Sequence, residues 1–244
     1  AEGYVNTLAE IRQQPALWTE TARRIVAARD EWNNFVGEAQ AIVLTGSGSS
    51  YFVGKCIANA LQENASVPVT AVESGEVLMV GTGALPPARP LLVVSFARSG
   101  DSPESRGLIQ HLLDSDPSVR HLIISCNPNG RLTSLWGEGG TNQDPKVRVL
   151  LLDERARDRS LVMTSSFTSM AVAGLGLAAP EDRYLRAVDT LAASVSKLFT
   201  SLPEQLEELP HESLDRLVAV GSGALYGAAL EVARAPVMTL GVSE

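Results

Sequence analysis

Short runs of consecutive apolar residues recur along this chain, and between them the apolar positions open out to the three- and four-residue spacing of a helix face. Ala41-Ile42-Val43-Leu44 is such a run, followed by a helical pattern over 51–62. Further runs over 67–72, Pro90-Leu91-Leu92-Val93-Val94-Ser95-Phe96, His121-Leu122-Ile123-Ile124-Ser125 and Val147-Arg148-Val149-Leu150-Leu151-Leu152 read as strands, with a helix through 107–113. A strand without polar alternation is buried on both faces, and strands alternating with helices give a parallel sheet covered on each side. The predicted class is α/β. Upstream, 11–32 reads as a helix whose apolar face holds Trp18, Ile25 and Val26, with Pro15 near its start or breaking it. Downstream, 161–177 and 183–202 read as helices parted by Ala179-Pro180-Glu181-Asp182, where the proline stops one helix and an acid caps the next.

Two of the strand-to-helix junctions are rich in small hydroxylated residues: Thr45-Gly46-Ser47-Gly48-Ser49-Ser50 and Ser99-Gly100-Asp101-Ser102-Pro103-Glu104-Ser105. Free backbone N–H groups and the positive end of a helix dipole favour an anion there, glycine admits it closely, and serine adds donors without charge. Ser102-Pro103-Glu104 is also a strong helix start, with a hydroxyl cap, a proline at the first helical position and an acid in the first turn. Arg98 stands just ahead of that turn, available to pair with an oxyanion. Both turns fall at strand carboxyl ends, where ligands of parallel sheets collect.

The first pattern recurs. Ile42-Val43-Leu44-Thr45-Gly46-Ser47-Gly48-Ser49-Ser50-Tyr51 aligns with Leu217-Val218-Ala219-Val220-Gly221-Ser222-Gly223-Ala224-Leu225-Tyr226 at a constant offset of 175 (218 − 43). The second copy keeps Gly-Ser-Gly and Tyr but has Ala224 and Leu225 in place of Ser49 and Ser50, so it retains the turn and drops two hydroxyls. This implies a duplicated module whose first copy carries the anion seat.

With 244 residues the chain can bury a full core. No stretch approaches the ~20 apolar residues of a membrane span, and Ala1-Glu2-Gly3-Tyr4 opens nothing like a signal segment, so a soluble, cytoplasmic protein without a membrane partner is expected. A net charge of −8 with no basic stripe argues against nucleic acid. The densest basic run, Glu154-Arg155-Ala156-Arg157-Asp158-Arg159, is interleaved with acids and reads as a solvated loop or helix edge. Cys56 and Cys126 read as buried thiols in a reducing compartment.

Competing chemistries fail on spacing. A Walker loop needs Gly-x4-Gly-Lys-Ser/Thr, but Cys56 follows Gly54-Lys55 and Ser49 stands five before Gly54. A dinucleotide fingerprint needs a glycine at Tyr51, and no Gly-x-Ser-x-Gly nucleophile elbow exists. His111, His121 and His211 have no ligand spacing with one another or with the cysteines, so no metal and no cofactor are expected.

Gly48-Ser49-Ser50-Tyr51, Arg98-Ser99-Gly100-Asp101-Ser102-Pro103-Glu104-Ser105, Met163-Thr164-Ser165-Ser166 and the early Arg12-Gln13-Gln14-Pro15-Ala16-Leu17-Trp18 together resemble the sugar isomerase (SIS) domains, and within them the AgaS branch. The resemblance implies flavodoxin-like three-layer α/β/α modules, a homodimer, and isomerisation or deamination of a ketose or hexosamine 6-phosphate. It also implies a phosphosugar held at Gly48, Ser49, Ser50, Arg98, Ser99 and Ser102, with Thr164 and Ser165 lining the same pocket. The organisation it implies is an N-terminal helical segment over 1–40, a first SIS domain over 41–180, and a linker helix with the beginning of a second, incomplete SIS domain over 181–244.

The catalytic residues stay unassigned. Related aminosugar isomerases carry Glu-x3-Lys-x2-Glu on the helix after the second Gly-Ser-Gly-like turn, the last Glu acting as base. Here Glu231 fits the first position, but Ala235 and Met238 stand at the other two, and Pro236 is expected to interrupt that helix. The family pattern continues through a His-Gly-Pro segment, whereas this sequence stops at Glu244. The expectation is therefore either a fragment or altered C-terminus, or a sugar-phosphate sensor without the catalytic machinery. A nucleotide-binding doubly wound domain is a third reading, disfavoured by the failed fingerprints.

Overall fold

A computed structural model describes residues 2–207 and 218–240. Helix α1 (Glu2–Ala27) is followed by α2 (Arg29–Val36), β1 (Ala41–Gly46), α3 (Ser49–Gln62), β2 (Val69–Glu73) and α4 (Ser74–Val80). Then come β3 (Leu91–Ala97), α5 (Pro103–Ser115), β4 (Val119–Ser125), α6 (Arg131–Trp136), β5 (Val147–Leu151), α7 (Ser165–Gly176), α8 (Glu181–Glu207) and α9 (Ala224–Leu240).

The five strands form one all-parallel sheet in the order β2-β1-β3-β4-β5. This is the flavodoxin-like doubly wound order, in which the chain reverses direction across the sheet between β1 and β3 and leaves a crevice at their carboxyl ends. Alternation along the strands sorts the core into two layers. Ile42, Leu44, Leu92, Val94, Phe96, Leu122 and Ile124 face Leu17, Trp18 and Ile25 of α1, Val53 and Ile57 of α3 and Met170 of α7. Ala41, Val43, Leu91, Val93 and Ile123 face Val77 of α4, Leu108, Ile109 and Leu112 of α5, and Trp136 of α6. The expected α/β sandwich with both sheet faces covered is what forms.

Differences from the sequence reading have local causes. Pro15 lies inside α1 without breaking it. Proline removes the amide that would bond the Ile11 carbonyl, and the Gln14 side chain donates to that oxygen instead (Nε2 to O 3.1 Å). Helix α7 starts at Ser165 rather than 161, because the Asp158 carboxylate terminates it, as described below. Helix α9 runs through Pro236, against the expected interruption. The side chains at Ala235 and Met238, and all of His211 and Leu217, lie outside the described residues.

His121 sits in β4, fully buried, with neither ring nitrogen hydrogen-bonded among the described residues. Burial pushes its pKa down to about 4, with the Asp144 charge pulling it up and Lys146 pushing it further down. A base whose folded pKa is depressed favours the neutral form, so its stabilising contribution is complete above the unfolded value of ~6.5 and is lost as pH falls from there towards 4. Wild type is expected to lose about 3 kcal/mol more than His121→Leu between pH 7.5 and 4. Urea denaturation of both proteins across that range is the check, and parallel curves would refute it.

Candidate functional site

The two serine-rich turns meet at the crevice. A cavity of about 210 Å³ is lined by Ser47, Ser49 and Ser50 from the β1–α3 turn, Phe96, Ala97, Arg98, Ser99, Gly100, Ser102 and Ser105 from the β3–α5 turn, Leu161 and Met163 ahead of α7, and Arg234 of α9. The first turn is built by Gly48 at φ +56° and ψ −122°, a conformation that side chains other than hydrogen resist. It swings Ser49 and Ser50 into the first turn of α3, where Ser50 N donates to Ser47 O at 3.2 Å. The later Gly221-Ser222-Gly223 turn has similar geometry, with Gly223 also at φ +56° and Leu225 N donating to Ser222 O at 3.1 Å.

At the second turn Ser102 caps α5, accepting from Ser105 N at 3.4 Å and donating to Glu104, while Pro103 opens the helix. The Ser99 hydroxyl accepts from Asp101 N at 3.2 Å. Ser102's hydrogen bond holds the Glu104 carboxyl below its usual range. Cap and cavity wall are the same residues.

Three expected site residues are placed differently. Arg98 lines the cavity, yet its Nη1 donates to the carbonyl oxygens of Ser160 (3.1 Å) and Leu161 (3.0 Å), tying the loop ahead of α7 to the end of β3. Thr164 and Ser165, which the resemblance puts in the pocket, are not among the residues lining this cavity. Thr164 N and Oγ1 donate to Asp158 at 2.8 and 3.0 Å, Ser165 N donates to Asp158 at 3.0 Å, and Ser165 Oγ donates to Glu10 O at 2.6 Å. Their hydroxyls are consumed in building the wall, and Leu161 and Met163 present its surface.

Asp158 itself corrects the reading of its segment as a solvated loop. It is 6% exposed and also accepts from Ser166 N (2.9 Å) and Ser166 Oγ, so one carboxylate satisfies the first N–H groups of α7. A larger cleft of about 900 Å³ lies beside it, lined by Asn6, Glu10, Gln13 and the 154–159 segment. Arg155 there is engaged by Asp153, their side chains meeting at 2.9 Å, and none of the residues of the two serine-rich turns lines the cleft.

Two residues of α9 join the site that sequence reasoning did not assign. Arg234 lines the cavity, and Glu231 is 8% exposed with Oε2 unpartnered among the described residues. Burial raises the Glu231 pKa, against a hydrogen bond from Ser49 and the charges of Arg234 and Arg98. Cys56 lies near enough to Glu231 that burial and then that charge push its thiol up to about 11. Among the described residues no cluster of His, Cys, Asp and Glu could hold a metal ion, and no helix is long and apolar enough to cross a membrane.

No protein-family model matches the chain. The crystal structure of tagatose-6-phosphate ketose/aldose isomerase from Escherichia coli superposes with a TM-score of 0.85 at 34% identity, covering 95% of this chain and 64% of that one. The D-galactosamine-6-phosphate deaminase AgaS of Escherichia coli is 35% identical over 233 residues, 93% of this chain and 59% of the relative. The C-terminal domain of glucosamine-fructose-6-phosphate aminotransferase from Francisella tularensis shares the fold, with a TM-score of 0.73 at 17% identity over 96% of this chain and 66% of that one. The chain shares its fold with these phosphosugar isomerases and is similar over nearly all its length to the AgaS proteins, spanning about 60% of the length of those relatives.

Proposed function

We propose that the protein binds a hexose or hexosamine 6-phosphate in the cavity between the β1–α3 and β3–α5 turns, and catalyses its ketose–aldose isomerisation or deamination. The observation that carries this reading is the convergence of six serines from two helix-starting turns on one cavity, with Arg234 at its edge. Helix N-termini and hydroxyls suit a phosphate dianion, and a guanidinium matches its charge. The relatives named above act on galactosamine 6-phosphate and tagatose 6-phosphate, which sets the substrate class to try first. Gly48, Ser49, Ser50, Ser99 and Ser102 form the phosphate-binding set in this reading, with Arg98 bracing the wall.

The test is incubation with galactosamine 6-phosphate and tagatose 6-phosphate, assaying ammonia and interconverted hexose phosphates, beside calorimetric binding. Ser50→Ala and Ser99→Ala are each expected to weaken binding by about 1.5–3 kcal/mol, the worth of a hydrogen bond to a charged group. Unchanged affinity in both would move the site elsewhere. A sensing role without turnover is favoured by Ala235 and Met238, which stand where related enzymes carry Lys and Glu. Tight binding with no product from either substrate would select it.

A further inference from the structure

We infer that Arg234 is the cationic clamp of the phosphate seat and that Glu231, three residues earlier on α9, is the residue that positions it. The inference rests on the reading of the cavity as a sugar-phosphate site and assigns separate roles within it to two residues of α9.

The serines and amides of the two turns are neutral donors, so a phosphate dianion entering the cavity needs a charge partner to offset its desolvation. Of the two arginines lining the cavity, Arg98 has its Nη1 on the Ser160 and Leu161 carbonyls. Among the described residues Arg234 has no hydrogen bond of that kind. Its guanidinium lies against Gly48 at the head of α3: a Cβ added to Gly48 would fall 2.9 Å from Cζ, 3.0 Å from Nη2 and closer still to Nη1. The cation therefore rests on the turn whose N–H groups make the seat. Helix α9 is held at that distance by its close approach to α3, since a Cβ added at Gly227 would come within 2.7 Å of Cys56 N and Sγ.

Glu231 supplies a buried negative charge one helical turn before the exposed arginine. Residues three apart on a helix are neighbours on one face. Glu231 is buried while Arg234 is exposed, its carboxylate receives the Ser49 hydrogen bond and feels the Arg234 charge, and it does not line the cavity. It thus acts on the ligand through Ser49 and Arg234 rather than by contact. Ala235 removes the lysine expected one position later, and Arg234 puts a cation on the same turn.

The test is calorimetry of wild type, Arg234→Met, Arg234→Lys, Glu231→Gln and the double variant Glu231→Gln/Arg234→Met, with galactosamine 6-phosphate and unphosphorylated galactosamine in parallel. Arg234 is exposed, so its variants should melt like wild type, which thermal denaturation verifies. Arg234→Met is expected to lose about 10- to 100-fold in affinity for the phosphorylated sugar and nothing for the free sugar. Arg234→Lys should recover only part, having a point charge without the planar fork. Glu231→Gln should lose about threefold or more, and add nothing in the Arg234→Met background, because the two act as a unit. Wild type that binds no sugar phosphate overturns the reading of the cavity and this inference with it. Wild type that binds, with Arg234→Met binding equally well, overturns the clamp alone. A Glu231→Gln effect undiminished in the double variant overturns its positioning role.

Discussion

Gly48→Ala is expected to cut affinity for galactosamine 6-phosphate by about 100-fold, close to 2.7 kcal/mol, while the protein still folds. Two separate costs follow from one methyl group. At φ +56° and ψ −122° the backbone is in a region that residues with a Cβ rarely hold, a strain of about 1–3 kcal/mol that appears as lowered thermal stability. The new Cβ would also occupy the space of the Arg234 guanidinium. That side chain is flexible and exposed, so it moves aside at small cost to stability but leaves the seat. Calorimetry and a melting curve separate the two costs, and a variant with lowered Tm but intact affinity would show that the turn does not bind the phosphate.

Asp158→Ala is expected to be the most destabilising single change near the site, about 3–5 kcal/mol, or roughly 10 °C in Tm for a chain of this size. The loss leaves the amides of Thr164, Ser165 and Ser166 and two hydroxyls without their acceptor at the start of a buried helix. It also removes the negative charge from the positive end of the α7 dipole. Asp158→Asn keeps one acceptor oxygen and should lose roughly half as much. Because Leu161 and Met163 wall the cavity just ahead of this cap, weaker sugar-phosphate binding should accompany the drop in Tm. Wild-type stability in Asp158→Ala would remove the carboxylate from its capping role.

Much of this was legible from residue order. The uninterrupted apolar runs could only be strands covered on both faces, so the parallel sheet followed. Ser102-Pro103-Glu104 announced the start of α5, and Gly46-Ser47-Gly48 marked a turn no other residue types make as readily; its later copy adopts the same φ at Gly223. Asp158 was misread because a carboxylate among three arginines looks solvated until α7 is packed against it. Thr164 and Ser165 were ligand donors only through the family resemblance, and the Asp158 and Glu10 acceptors show where their hydroxyls bond.

Local sterics and hydrogen bonding act over a few residues, and through them the sequence by itself determined the strands, the two helix-starting turns and the serines they carry. Tertiary structure decided which charges serve the cavity. Arg98 is turned towards the carbonyls of a loop some 60 positions away, and Arg234 and Glu231 arrive on a helix beyond the sheet. Such pairings depend on how helices close over a sheet edge, because electrostatic partners are chosen by distance in space, which no spacing along the chain encodes.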